Sequence, residues 1–182
     1  YAMEQRSDFE KLIRERRVDY HFQPIVSAHD GHVVAYEALM RPQLPTLRSP
    51  LTVMQLASEM GRLYDIEKLT FFRACECYEE LEAAGKLDAD ALIFVNSIAS
   101  VSLSNEDWAS YCEAHSAILP KLVVEITEEE EMNERELERK RNVPGSSGVF
   151  ALDDYGSGYS NGNSLLTIAP KYVKVDIAII RG

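Results

Sequence analysis

Cysteine is scarce. The 182-residue chain has three, and neither CxxC nor HxxxH spacing occurs. Cys75 and Cys77 stand two apart in a helical pattern, which turns them to different sides, so neither a disulfide framework nor a zinc site is expected. Basic residues are also short. Thirty Asp and Glu against nineteen Lys and Arg leave a formal net charge of −11. That excludes a nucleic-acid duplex as partner, because counterion release from a phosphate backbone requires a basic face. No apolar run approaches the ~18 residues that span a bilayer, and Tyr1 to Arg17 is too charged for a signal peptide. Together with the cysteine usage, this makes a soluble, cytoplasmic domain the expectation. Internal repeats and low-complexity linkers are absent as well.

What is present is ordinary globular material, with 46% hydrophobic and 27% charged residues. The length predicts one domain that buries ~70% of its unfolded surface. Periodicity predicts a short helix over Asp8 to Arg17, then strands over His21 to Ser27 and Val33 to Met40. The pair turns at Asp30-Gly31, so His29 and His32 read as turn residues. Ser49-Pro50 opens a helix to Gly61 as cap followed by proline. A longer helix runs from about Tyr64 to Ala84, with Gly85 as its stop. Alternation follows: strands over Leu92 to Asn96, Leu122 to Ile126, Val149 to Asp153 and Tyr172 to Asp176. Helices over Asn105 to His115, Glu129 to Arg141 and Ser164 to Ile168 lie between them. The pattern predicts an α/β fold with a mostly parallel sheet, open or closed into a barrel. The acidic run Glu128 to Glu131 reads as a solvated helix N-terminus rather than a calcium loop.

The strand ends carry the chemistry. Each parallel strand is a short apolar run finishing in a polar group: Glu37, Asn96, Glu125, Asp153 with Asp154, and Lys174 with Asp176. Period-two alternation puts Ala35 with Glu37, Phe94 with Asn96, Val123 with Glu125, and Ala151 with Asp153 on shared faces. Carboxylates gathered in one place repel unless a cation joins them. An all-oxygen set without sulfur or imidazole favours magnesium or manganese. Adjacent Asp153 and Asp154 suit a two-metal site, a standard arrangement for in-line displacement at phosphorus. Taken singly, each acid also reads as a cap of the next helix. Arg41 is placed to grip an anion, and Gln23 offers an amide. Gly156-Ser157-Gly158 with Gly162 forms a glycine-rich loop whose spacing is one residue too long for a dinucleotide fingerprint.

Six ordered motifs then resemble one family. They are Phe22-Gln23-Pro24-Ile25-Val26, Tyr36-Glu37-Ala38-Leu39-Met40-Arg41, Val95-Asn96-Ser97, Glu125-Ile126-Thr127-Glu128, Asp153-Asp154-Tyr155-Gly156-Ser157-Gly158-Tyr159-Ser160 and Val173-Lys174-Val175-Asp176. Together they resemble the EAL domain, the bacterial phosphodiesterase of cyclic di-GMP. The resemblance implies a modified TIM barrel whose first strand is antiparallel to the rest. It implies Glu37, Asn96, Glu125 and Asp153 as ligands of a first Mg2+ or Mn2+, and Asp153 with Asp154 as holders of a second. Lys174 matches the lysine near the attacking water and Asp176 the acid beside it. Gln23 and Arg41 match contacts to the dinucleotide, Arg41 to its phosphate. Glu128 matches the glutamate that holds the glycine-rich loop.

As domains, residues 1–19 read as a helical lead-in and residues 20–182 as an EAL domain. In the family a further glutamate, the proposed general base, and a glutamine lie on strands after the lysine strand, and the sequence reaches Gly182 before either. A barrel of eight strand–helix units takes ~250 residues, so these residues correspond to about the first three-quarters, with the C-terminal strands missing and an edge left open to association. The expected activity is hydrolysis of cyclic di-GMP to the linear dinucleotide pGpG. The alternative is a non-catalytic receptor for the same ligand. A homodimer and an attached sensor or GGDEF-type domain are the expected partners. The 182 residues alone are expected to bind metal or ligand weakly and to hydrolyse little, and robust turnover by them in isolation would contradict this.

Overall fold

The computed structural model describes residues 1–127, 134–141, 150–153, 172–175 and 178–181. Helix α1 (Ala2–Glu15) begins six residues before the periodicity does, because its first turns are exposed and carry no apolar stripe. Strands β1 (Val18–Val26) and β2 (Val33–Pro42) form an antiparallel hairpin. At its turn Gly31 takes φ +74, where a side chain would be strained, and the Asp30 carboxylate accepts the His32 N–H at 3.1 Å. His29 and His32 are exposed there. Helix α2 (Pro50–Glu59) starts as expected, with the Ser49 hydroxyl accepting the Leu51 N–H at 3.2 Å and proline in the first turn. Helix α3 (Leu63–Ala83) ends just before Gly85, which takes φ +70.

Next come β3 (Leu92–Asn96), α4 (Asn105–Ala114), β4 (Leu122–Thr127), α5 (Glu134–Arg141), β5 (Phe150–Asp153) and β6 (Tyr172–Val175). A further strand, β7 (Ala178–Arg181), pairs antiparallel with β6. Only Asp176-Ile177 separates it from β6 in the sequence, and that pair carries no hairpin turn signal to mark a second strand. The short helix expected at Ser164 to Ile168 lies outside the described residues. The seven strands follow chain order across one sheet, parallel from β2 through β6. At the ends of this order, β1 and β7 approach each other.

The sheet has two unlike faces. On one, α2, α3 and α4 cover a large core that includes Tyr78, Phe71, Ile93, Val95 and Ile126. Phe71, Trp108 and Tyr111 pack edge to face there, with ring centroids 5.3 to 5.7 Å apart. Burying a side chain such as Phe71 contributes roughly 1.5–3 kcal/mol. Cys75 is buried in the same core, its sulfur 2.9 Å from the Tyr111 hydroxyl, and burial pushes its thiol up to about 12. All three cysteines are free thiols. The opposite face carries a small separate cluster of Ile25, Ala35, Phe94 and Val123.

Helix α1 joins the large core through Phe9 and Leu12, both fully buried. Polar contacts fix its angle. Asp8 accepts the Thr46 N–H at 3.1 Å and the Thr46 hydroxyl at 2.7 Å, while Arg62 bridges Glu10 at 2.8 Å and Asp65. The Thr46 donors hold the Asp8 carboxyl below its ordinary 3.8. A depressed carboxyl contributes stability above its unfolded pKa and loses it as pH falls through the folded one. The urea-midpoint advantage of wild type over Asp8→Asn should therefore be full above about pH 4 and fade at lower pH. An advantage that does not change with pH would contradict this.

Candidate active site

The small cluster is a floor. Two residues further along each strand, period two returns to the same face and the side chains turn polar. Gln23 and Glu37 stand above Ile25 and Ala35, Asn96 above Phe94, and Glu125 above Val123. The ladders set their heights. Gln23 pairs with Glu37, Glu37 with Phe94, Asn96 with Glu125, and Thr127 with Asp153. By register Asn96 stands two residues above Glu37, Glu125 is level with Asn96, and Asp153 is two residues above Glu125. The polar positions thus climb from β2 to β5, as strands tilted around a barrel require. Ala151 pairs with both Glu125 and Tyr172, so by register Asp153 and Lys174 occupy the same face. Glu128, Asp154, Asp176 and the glycine-rich loop Gly156 to Gly162 lie outside the described residues.

Glu37 and Glu125 are both buried, Glu125 completely at 0% exposure. The Asn96 side-chain N–H donates to Glu37 Oε2 at 3.3 Å and to the Ala38 carbonyl at 3.5 Å. An amide donating through nitrogen keeps its carbonyl oxygen as a ligand atom. One bond past β3, the Ser97 N–H donates to the Glu125 carbonyl at 2.9 Å, extending the ladder under these side chains. Arg41 is half-buried, its guanidinium donating to the Met40 carbonyl at 2.8 Å. It borders a cavity of about 260 Å³ shared with Met40, Met54, Asn96 and Ser97. Gln23 is exposed beside Glu37.

Two buried carboxylates and an amide over an apolar floor form an all-oxygen set, and an ionised carboxylate taken out of water demands a compensating charge. The donor chemistry fits a hard divalent cation. Among the described residues no three His, Cys, Asp or Glu side chains converge. The described share of the expected set is Glu37, Asn96 and Glu125.

Periodicity did not mark two neighbouring residues. Glu67, 1% exposed, reaches from α3 to the end of β3 and accepts the Ser97 hydroxyl at 2.6 Å and the Ile98 N–H at 2.9 Å. Lys140, on α5, lies 2.9 Å from Glu67. A signal for Glu67 existed, since it heads the buried stripe Thr70, Phe71, Ala74 and Tyr78. Lys140 had none, because its helix carries no apolar period.

Comparison with known proteins agrees with this architecture. A family model described as the EAL domain matches residues 6–182. The cyclic di-GMP phosphodiesterase NbdA of Pseudomonas aeruginosa is 28% identical over 187 residues, covering 98% of this chain and 23% of its own length. The chain spans 22% to 32% of the length of the curated relatives it matches. The solved P. aeruginosa MucR phosphodiesterase with c-di-GMP superposes at TM-score 0.73 with 24% identity, over 94% of this chain and 72% of that one. The Klebsiella pneumoniae BlrP1 manganese and c-di-GMP complex superposes at 0.68 with 23% identity, over 88% and 40%. These neighbours are EAL domains, so the fold is their modified TIM barrel, with β1 as its antiparallel first strand. No helix among the described residues is long and apolar enough to cross a membrane.

Manganese should stabilise the folded chain by mass action, by about 2.7 kcal/mol at one hundred times its dissociation constant. Thermal unfolding with and without Mn2+ checks this. The upward shift should be lost in Glu37→Ala and Glu125→Ala, and an equal shift in both variants would contradict the assignment.

Proposed function

Because the chain belongs to the EAL domain family, we propose that it is the catalytic domain of a metal-dependent phosphodiesterase that hydrolyses cyclic di-GMP to linear pGpG. The observation that carries this reading is the set of buried Glu37 and Glu125 with half-buried Asn96, one layer above the apolar floor. The names of relatives such as NbdA support the substrate.

Two Mg2+ or Mn2+ ions, held by Glu37, Asn96, Glu125, Asp153 and Asp154, would supply an activated water and neutralise charge on the phosphate. Each chain residue has a task in this scheme. Arg41 and Gln23 hold the dinucleotide, Arg41 by a charge-assisted contact to a phosphate oxygen. Lys174 lies near the attacking water, with Asp176 beside it to orient the ammonium group. Glu128 holds the glycine-rich loop that follows the paired aspartates. The apolar floor excludes bulk water below the reacting phosphorus and strengthens each charge interaction above it. In the balanced step a water oxygen bonds to phosphorus, the P–O3′ bond breaks and the 3′ oxygen takes a proton. The product keeps a 5′-phosphate.

In the same reading the domain works in the cytoplasm, as a homodimer and beside a sensor or GGDEF-type domain of its parent protein. The receptor alternative shares the ligand but not the turnover. Incubating the full-length protein with cyclic di-GMP and Mg2+ or Mn2+ should give pGpG by chromatography. Glu37→Ala should lower that rate by more than about 100-fold, the upper end for loss of a mere outer partner. Tight cyclic di-GMP binding in EDTA with no product after metal is restored would establish the receptor reading instead.

A further inference from the structure

A lysine ammonium has three N–H donors, and the structure gives Lys140 three acceptors. They are Glu67 Oε2 at 2.9 Å, Ser97 Oγ at 2.6 Å and the Ile98 carbonyl. The Lys140 side chain is 0% exposed and that of Glu67 1%. Glu67 is saturated in turn, its second oxygen taking the Ile98 N–H at 2.9 Å. The neighbouring Arg139 donates to the Leu103 carbonyl at 3.1 Å, so α5 grips both ends of the segment leaving β3.

Such a pair is a poor device for stability alone. Desolvation of two ions offsets most of their attraction, and apolar residues of similar volume often do as well. What it does well is fix geometry, because every donor and acceptor must be matched. The fixed segment starts one residue after Asn96, and its Ser97 N–H bonds the Glu125 carbonyl. α5 itself lies between β4, which carries Glu125, and β5, which carries Asp153. We propose that Lys140 is a positioning residue: through Glu67 and Ser97 it locks the β3 exit against α5 and so holds Asn96 and Glu125 at the spacing a metal ion requires.

This inference rests on the metal-dependent reading above, and the test separates the two. Free Mn2+ is followed by electron paramagnetic resonance in titrations of the full-length protein without nucleotide, well below the unfolding midpoint, with circular dichroism on every variant. Lys140→Met should bind Mn2+ about 10-fold more weakly or worse while remaining folded. Lys140→Arg, which keeps the charge and donors, should recover part of the loss. The double variant Glu67→Leu/Lys140→Met removes the stranded carboxylate and should regain thermal stability without regaining Mn2+ affinity. It also carries the test should Lys140→Met not fold. Wild-type affinity in folded Lys140→Met, or affinity that returns together with stability in the double variant, would overturn the positioning role and leave the metal reading standing. A wild type that binds no Mn2+ would overturn both.

Discussion

The burial of two carboxyl groups is the constraint on which the rest of this structure depends. Glu37 and Glu125 are drawn out of water at the ends of strands whose lower halves are wholly apolar. A carboxylate in that setting is tolerated only with a cation or a full set of donors. The sheet satisfies the condition by register. The ladders bring one polar position per strand to a common face, with Asn96 level with Glu125 and two residues above Glu37, and the floor of Ile25, Ala35, Phe94 and Val123 fixes the depth. Function in this fold is a consequence of where each apolar run stops.

The helical side of the molecule serves the same end. Aromatic packing among Phe71, Trp108 and Tyr111 makes α3 and α4 a rigid backing. From that backing Glu67 reaches forward to the β3 exit. Tyr20 and Thr70 are joined at 2.9 Å within the core, so the antiparallel β1 is tied to the same helix. Rigid support matters because metal ligands displaced by even a fraction of an ångström lose the geometry that selects the ion and aligns the water. The helices hold the strands, and the strands hold the acids.

Much of this was legible in the sequence because it depends on local rules. The Ser49-Pro50 start of α2, the Asp30-Gly31 turn and the Gly85 stop follow from capping and φ preferences that need no tertiary context. The strand ends were legible because period two and a switch from apolar to polar mark both a face and a depth. Strand β7 was not, because Asp176-Ile177 before it carries no hairpin turn signal, and neither were the first turns of α1, whose exposed face carries no period. The Lys140–Glu67 pair was illegible for a deeper reason. Its partners are 73 positions apart on two helices, and only folding shows that a lysine from a charged helix is completely buried.

The central claim is that the buried acids exist to hold metal. Diffraction from crystals of the full-length protein grown with Mn2+, measured at the manganese absorption edge, tests it most directly. The account predicts an anomalous peak within coordination distance of oxygens from Glu37, Asn96 and Glu125. A fully soaked crystal with no peak at the strand ends, and with Glu37 and Glu125 paired only to protein donors, would contradict it.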